Sequence, residues 1–251
     1  MVTVLKLILI GSLLFNVVAV WGLFHYVMYG GSPLGELKRR LTGSTKQAET
    51  SIPYLEENAR LRGAAEAGER DSLRVVFIGA SITHNWDLEK YFPKIHPVNR
   101  GVSGFAPDLL IKFKSNVLDL KPRAAVIKFC SINIRPQIPA YQLRDGMAMA
   151  VQLARGNDIL PIVATIIPSG KPAAHIGDFS VIDSLRAFND WVREYAEKES
   201  LPLIDYAKAI EDENGFLPRE CSVDPVHLND RGYDVIAEAA RPVIYGVVGI
   251  K

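Results

Sequence analysis

The sequence predicts a doubly wound three-layer α/β/α domain with a mostly parallel five-stranded sheet, preceded by one transmembrane helix. Three observations carry this expectation. From Ser72 onward, short apolar runs alternate with amphipathic stretches, which is how a parallel sheet covered by helices on both faces is written in sequence. Residues 72–251 are 180 in number, enough for one such core. Ahead of them, Leu7 to Tyr29 is a run of 23 residues without Asp, Glu, Lys or Arg.

As a helix that run would span roughly 35 Å at about 1.5 Å per residue, enough to cross a bilayer. Trp21, Phe24, Tyr26 and Tyr29 gather at its end, where amphipathic rings sit at the headgroup level. Residues 1–30 are therefore read as an uncleaved anchor, with a cleavable signal peptide as the competing reading. Lys38, Arg39 and Arg40 follow the segment and by the positive-inside rule hold the body in the cytoplasm. A lone segment at the N-terminus is, however, the usual tether of an exported domain, and a periplasmic or other extracytoplasmic body is the expectation carried forward. Residues 31–71 read as a linker followed by a polar spacer helix, and 72–251 as the folded domain.

Within that domain the apolar runs predict strands at Leu73–Ile78, Ile95–Asn99, Ala124–Phe129, Leu160–Ile166 and Leu203–Asp205. Helical spacing predicts helices at Pro107–Leu120, Tyr141–Arg155, Asp178–Ser200 and Asp230–Val243, with Pro122 and Gly156 closing the first two. In an open sheet of this kind, chemistry gathers beyond the carboxyl ends of the strands.

Composition excludes several classes. The chain has 251 residues and a formal net charge of +1, and beyond residue 46 acidic residues slightly outnumber basic ones. No basic stripe of the kind that exploits counterion release is visible, so nucleic acid is set aside as a partner. Cys130 and Cys221 are too few for a disulfide scaffold; two buried thiols are expected, and a single bridge is compatible with export. The five histidines fall in no metal-ligand spacing, so neither a catalytic metal nor another cofactor is expected.

Four groups at predicted strand ends carry chemistry. Gly79-Ala80-Ser81-Ile82-Thr83 places a hydroxyl where the first strand turns, a position that also suits a helix cap. Asp224-Pro225-Val226-His227 puts a carboxylate and an imidazole on one loop, so one ring nitrogen can be held while the other faces elsewhere. A serine hydroxyl needs such a base, because it is a poor nucleophile until its proton has a destination. Gly101, in Asn99-Arg100-Gly101-Val102-Ser103-Gly104, and Asn133, in Cys130-Ser131-Ile132-Asn133, are able to donate hydrogen bonds to a developing oxyanion. As isolated features they read equally well as turn and cap residues, and their order along the chain is what raises them.

Over residues 73–239 the chain resembles the SGNH or GDSL hydrolases, named for four blocks bearing Ser, Gly, Asn and His. The resemblance implies a serine esterase with Ser81 as nucleophile, His227 as base and Asp224 as its orienter. It also implies an oxyanion hole of the Ser81 amide, the Gly101 amide and the Asn133 side chain. Two blocks depart from the family pattern: Ala80 stands where Asp is usual, and Ser131-Ile132-Asn133-Ile134 replaces Gly-x-Asn-Asp. His84, Trp86, Arg135 and His175 are the candidates for binding substrate, Trp86 as a stacking face and Arg135 for an anionic group. Lys128, inside a predicted strand, is expected to pack its stem and snorkel its amine. The expected function is removal of acetyl or other small acyl groups from a saccharide or lipid. The alternatives are transfer of the acyl group to a cell-envelope glycan, a lysophospholipase or thioesterase, and a scaffold subunit of a membrane complex.

Overall fold

In a computed structural model of the chain, residues 54–68, 71–104 and 112–250 are described. The predicted anchor at 7–29 lies outside them, and among the described residues no helix is long and apolar enough to cross a membrane.

Five parallel strands form the sheet: β1 (Arg74–Gly79), β2 (His96–Gly101), β3 (Ala124–Lys128), β4 (Leu160–Ala164) and a short last strand (Leu203–Ile204). Their order is β2-β1-β3-β4-last strand. The chain therefore winds outward in one direction from β1 to β2, then crosses back over β1 to β3. Connections leaving β1 and β3 diverge at that reversal, and the crevice this opens is where such sheets bind ligands.

The two faces of each strand serve two cores. Val76, Ile78 and Ile127 face a cluster with Leu143, Met147, Leu185 and Phe188, from helices α1 (Ala140–Arg155) and α2 (Val181–Lys198). Val75, Phe77 and Val126 face the other, with Ile236, Ala240 and Ile244 of α3 (Asp230–Val248). Period-two alternation on strands buried on both faces produces the continuous apolar runs seen in sequence.

Capping decides where the long helices begin. The Ser180 hydroxyl accepts from Asp183 N–H, so α2 starts at Val181 rather than Asp178. The residues just before it form a small antiparallel hairpin, His175–Ile176 with Phe179–Ser180. Asn229 Oδ1 accepts from Gly232 N–H at the start of α3. That helix runs five residues past the predicted Val243, through Pro242, and stops where Gly249 adopts φ 78°. Glycine takes the left-handed conformation without a Cβ penalty and is the stronger stop signal here.

Two expectations are revised. In place of a helix over 107–120, the described part of that span holds one turn at Phe113–Asn116 and a 3-10 turn at Leu118–Leu120. Val117, at φ −130° and ψ −63°, breaks the two apart while its side chain, like Phe113 and Leu120, remains fully buried. Burial of these residues carries the apolar period without a continuous helix. The segment read as a polar spacer does contain a helix, Leu55–Glu66, but it is docked on the domain: Asn58 and Ala65 are buried, and Asn58 donates to Asn116 Oδ1 at 2.8 Å.

Candidate active site

Ser81 opens a single helical turn, Ser81–His84, directly beyond β1. The first amides of a helix have no intrahelical acceptor, so the Ser81 N–H is available along with the hydroxyl. His227 and Asp224 come from the loop before α3, which folds back on itself. Ser222 and Leu228 form an antiparallel bridge, and Val223 N–H donates to His227 O at 3.0 Å. Asp224 Oδ1 accepts from the amides of Val226 and His227, both at 2.8 Å, which leaves Oδ2 to accept from His227 Nδ1 at 2.7 Å. The ring then carries its proton on Nδ1, and Nε2 accepts from Ser81 Oγ at 3.1 Å. Two residues 146 positions apart in sequence are thus in hydrogen-bond contact.

The carboxyl of Asp224 is pushed up by burial, but the hydrogen bonds from Val226 and His227 outweigh this and hold it below the usual Asp value. It stays ionised where a catalytic imidazole would work. The side chains of His227 and Asp224 retain 35% and 45% exposure, so the pair is open to a ligand from solvent.

Further bonds brace the site. Tyr233 OH, on α3, donates to Ile82 O at 3.0 Å and so ties that helix to the Ser81 turn. Asn99 is missed by the sequence reading. Its Nδ2 donates to Thr83 O at 2.6 Å and Trp86 O at 3.2 Å, closing the end of the Ser81 turn. The available signal was its place at the carboxyl end of β2, where a short amide can cap a neighbouring turn.

Asn133 is buried on a 3-10 turn after β3. Its Oδ1 accepts from Cys130 N–H at 2.9 Å, which orients the amide and leaves Nδ2 without a partner among the described residues. Gly101 behaves differently. Its N–H donates to Asn99 Oδ1 at 2.9 Å, so it is not a free donor for an oxyanion. It is glycine for a packing reason: a Cβ there would lie 2.1 Å from His84 N, because the backbone of the Ser81 turn presses on it. Three residues on, Gly104 has φ 70° and open space where a Cβ would be.

The candidate substrate residues separate. Trp86 is 4% exposed and packs edge-on against Phe77, Phe92 and Tyr206, so it belongs to the core and offers no stacking face. An aromatic five residues after Ser81 fell on the inner side of the chain, which local sequence does not reveal. His84 is exposed but turned back, with Nδ1 3.2 Å from Gly101 O. Arg135 is half-buried and spends Nη1 on the carbonyls of Ser131 and Ile134, at 2.9 and 2.8 Å, clasping the turn that bears Asn133. His175 is exposed on the hairpin, whose base is joined to the Asp224 loop by Gly170 N–H donating to Pro225 O at 2.7 Å. Lys128 does not snorkel: it is 3% exposed and donates to Cys130 Sγ at 3.1 Å, since both faces of β3 are covered. Both cysteines are buried and unbridged. Beside Asp224 an open groove of about 1020 Å³ is lined by Lys171, Phe216, Arg219 and Pro225 among others.

Parallel strands, a reversal in strand order and a Ser-His-Asp relay at the carboxyl ends define a hydrolase of the three-layer α/β/α class. The profile of the GDSL-like Lipase/Acylhydrolase family matches residues 77–235, and the chain belongs to this family, as an SGNH-type hydrolase. Solved structures of similar fold include a GDSL-like lipase from Bacteroides thetaiotaomicron, 23% identical, covering 77% of this chain and 96% of that one, with a TM-score of 0.69. A lipase/acylhydrolase from Enterococcus faecalis is 18% identical over 70% of this chain and 95% of its own, with a TM-score of 0.56. A catalytic mutant of an acetylxylan esterase from Geobacillus stearothermophilus is 16% identical over 72% and 96%, with a TM-score of 0.55. At these identities the likeness is one of fold. Comparison with curated proteins finds no significant match.

Proposed function

We propose that this protein is a membrane-anchored serine esterase that removes acetyl or other small acyl groups from a saccharide or lipid through Ser81, His227 and Asp224. The observation that supports this most is the unbroken relay from Ser81 Oγ to His227 Nε2, at 3.1 Å, and from His227 Nδ1 to Asp224, at 2.7 Å. In this reading Ser81 Oγ attacks the ester carbonyl while its proton passes to Nε2, and the imidazolium returns that proton to the leaving alkoxide. Water, activated by the same nitrogen, then attacks the acyl-enzyme. The Ser81 amide and Asn133 Nδ2 stabilise the oxyanion. Because Asn99 occupies the Gly101 amide, these two donors are the ones proposed.

The groove beside Asp224, whose lining includes neither Ser81 nor His227, supports a bulky, polar alcohol part. It is wide, and it combines Phe216 and prolines with charges of both signs, whereas a long acyl chain calls for an enclosed apolar channel. Across p-nitrophenyl esters, kcat/KM is expected to be highest for acetate and to fall at least about tenfold by octanoate, as the small-acyl reading requires. A rise with chain length would overturn the small-acyl reading in favour of a lysophospholipase or thioesterase.

The uncharged run Leu7–Tyr29, with its aromatic end, supports anchoring of the full chain, and the body is proposed to face the periplasm or another extracytoplasmic space. Protease added to sealed, inverted membrane vesicles is expected to leave the domain intact; digestion without detergent would place it on the cytoplasmic side.

A further inference from the structure

The helix Leu55–Glu66 and the residue before it precede the 77–235 span matched by the family profile, yet they reach the backbone beneath the nucleophile. Tyr54 adopts φ 79°, a left-handed backbone that residues with a side chain rarely take, and such departures cluster where a side chain must be aimed. Its hydroxyl donates to Gly101 O at 2.7 Å and lies 3.4 Å from His84 Nδ1. Burial pushes the phenol's pKa up, so it remains a donor.

The ring is held in turn. The Arg100 guanidinium lies 4.5 Å from its centroid, with the side chain 1% exposed. Arg100 Nε donates to Asn58 Oδ1 at 2.9 Å, and Nη1 donates to Glu57 Oε2 at 3.1 Å and to Asn99 O at 2.6 Å. One buried cation thus links three residues of the N-terminal segment to the end of β2.

What Tyr54 grips is the point where β2 bears on the Ser81 turn. Gly101 lies directly under His84 N, in space that no side chain could share. Asn99 holds the Gly101 N–H on one side and the Thr83 carbonyl on the other. Tyr54 completes this by fixing the opposite end of the residue, its carbonyl. The height of the turn that carries Ser81 is therefore set by the peptide Tyr54 restrains.

We propose that Tyr54 is a positioning residue for Ser81, acting through the Gly101 carbonyl to hold the nucleophile's turn at the height where Oγ meets His227. This rests on Ser81 being the nucleophile, as proposed above. It also gives the segment between the N-terminal run and the domain a role in the reaction.

The test is the second-order rate at which a fluorophosphonate probe labels Ser81 in the full chain, compared among wild type, Tyr54→Phe and Glu57→Gln. Tyr54→Phe keeps the ring over Arg100 and removes only the hydroxyl. It is expected to slow labelling by about ten- to a hundredfold, the scale on which small misplacements act, with little change in melting temperature. Its pH dependence should match wild type, because the hydroxyl does not touch the His227 ring. Glu57→Gln loosens the helix without removing the hydroxyl, and is expected to lower the melting temperature while labelling at the wild-type rate. Labelling of Tyr54→Phe within twofold of wild type would overturn the inference, and so would equal slowing in Glu57→Gln. Absence of labelling in wild type would instead remove the esterase reading on which it rests.

Discussion

Replacing Ser81 by alanine is expected to lower ester hydrolysis by about 10⁶-fold, which is the scale set by removing the nucleophile from a triad. The Oγ that donates to His227 Nε2 is the only atom lost. The Ser81 amide, Asn133 and the groove remain, so the residual activity measures oxyanion stabilisation and binding alone. Folding should be spared, since Ser81 begins a single turn and its hydroxyl caps nothing. The measurement is p-nitrophenyl acetate hydrolysis alongside fluorophosphonate labelling. Equal rates, or labelling that persists in Ser81→Ala, would mean that another residue attacks and would remove the relay from the mechanism.

Asp224→Asn is expected to cost about 10⁴-fold in kcat, by reversing the proton on the ring. An amide at this position retains an oxygen for the Val226 and His227 amides, which hold the loop at 2.8 Å each. Its nitrogen, however, faces Nδ1 as a donor, so the imidazole moves its proton to Nε2 and loses the lone pair that Ser81 needs. In wild type burial is outweighed by the hydrogen bonds from Val226 and His227, which hold Asp224 below the usual Asp value, so its carboxylate stays charged as pH falls and continues to accept from Nδ1. Activity within tenfold of wild type would show that Asp224 does not orient the base.

Much of the site was legible because its chemistry is carried by short blocks. Gly79-Ala80-Ser81 and Asp224-Pro225-Val226-His227 each place their reactive atom by local geometry, one through a strand-to-helix turn and the other through an Asx-type loop. Residues whose role depends on what lies opposite were not legible. Trp86 read as a stacking face but packs among Phe77, Phe92 and Tyr206, contributed by three separate segments. Gly101 read as an amide donor, but its hydrogen is taken by Asn99 and its missing side chain is demanded by His84. The N-terminal helix read as a spacer because its polar composition conceals the one buried face, where Asn58 meets Arg100 and Asn116.

The sequence by itself determined the parallel α/β architecture and singled out Ser81, Asn133, Asp224 and His227 as candidates, since periodicity and short motifs are properties of neighbouring residues. Only the tertiary structure decided which donors remain free, which aromatic is core, and that Tyr54 reaches the end of β2. Hydrogen bonds and van der Waals contacts act over a few ångströms in space, and the partners that consume or spare each group lie tens to more than a hundred residues away along the chain.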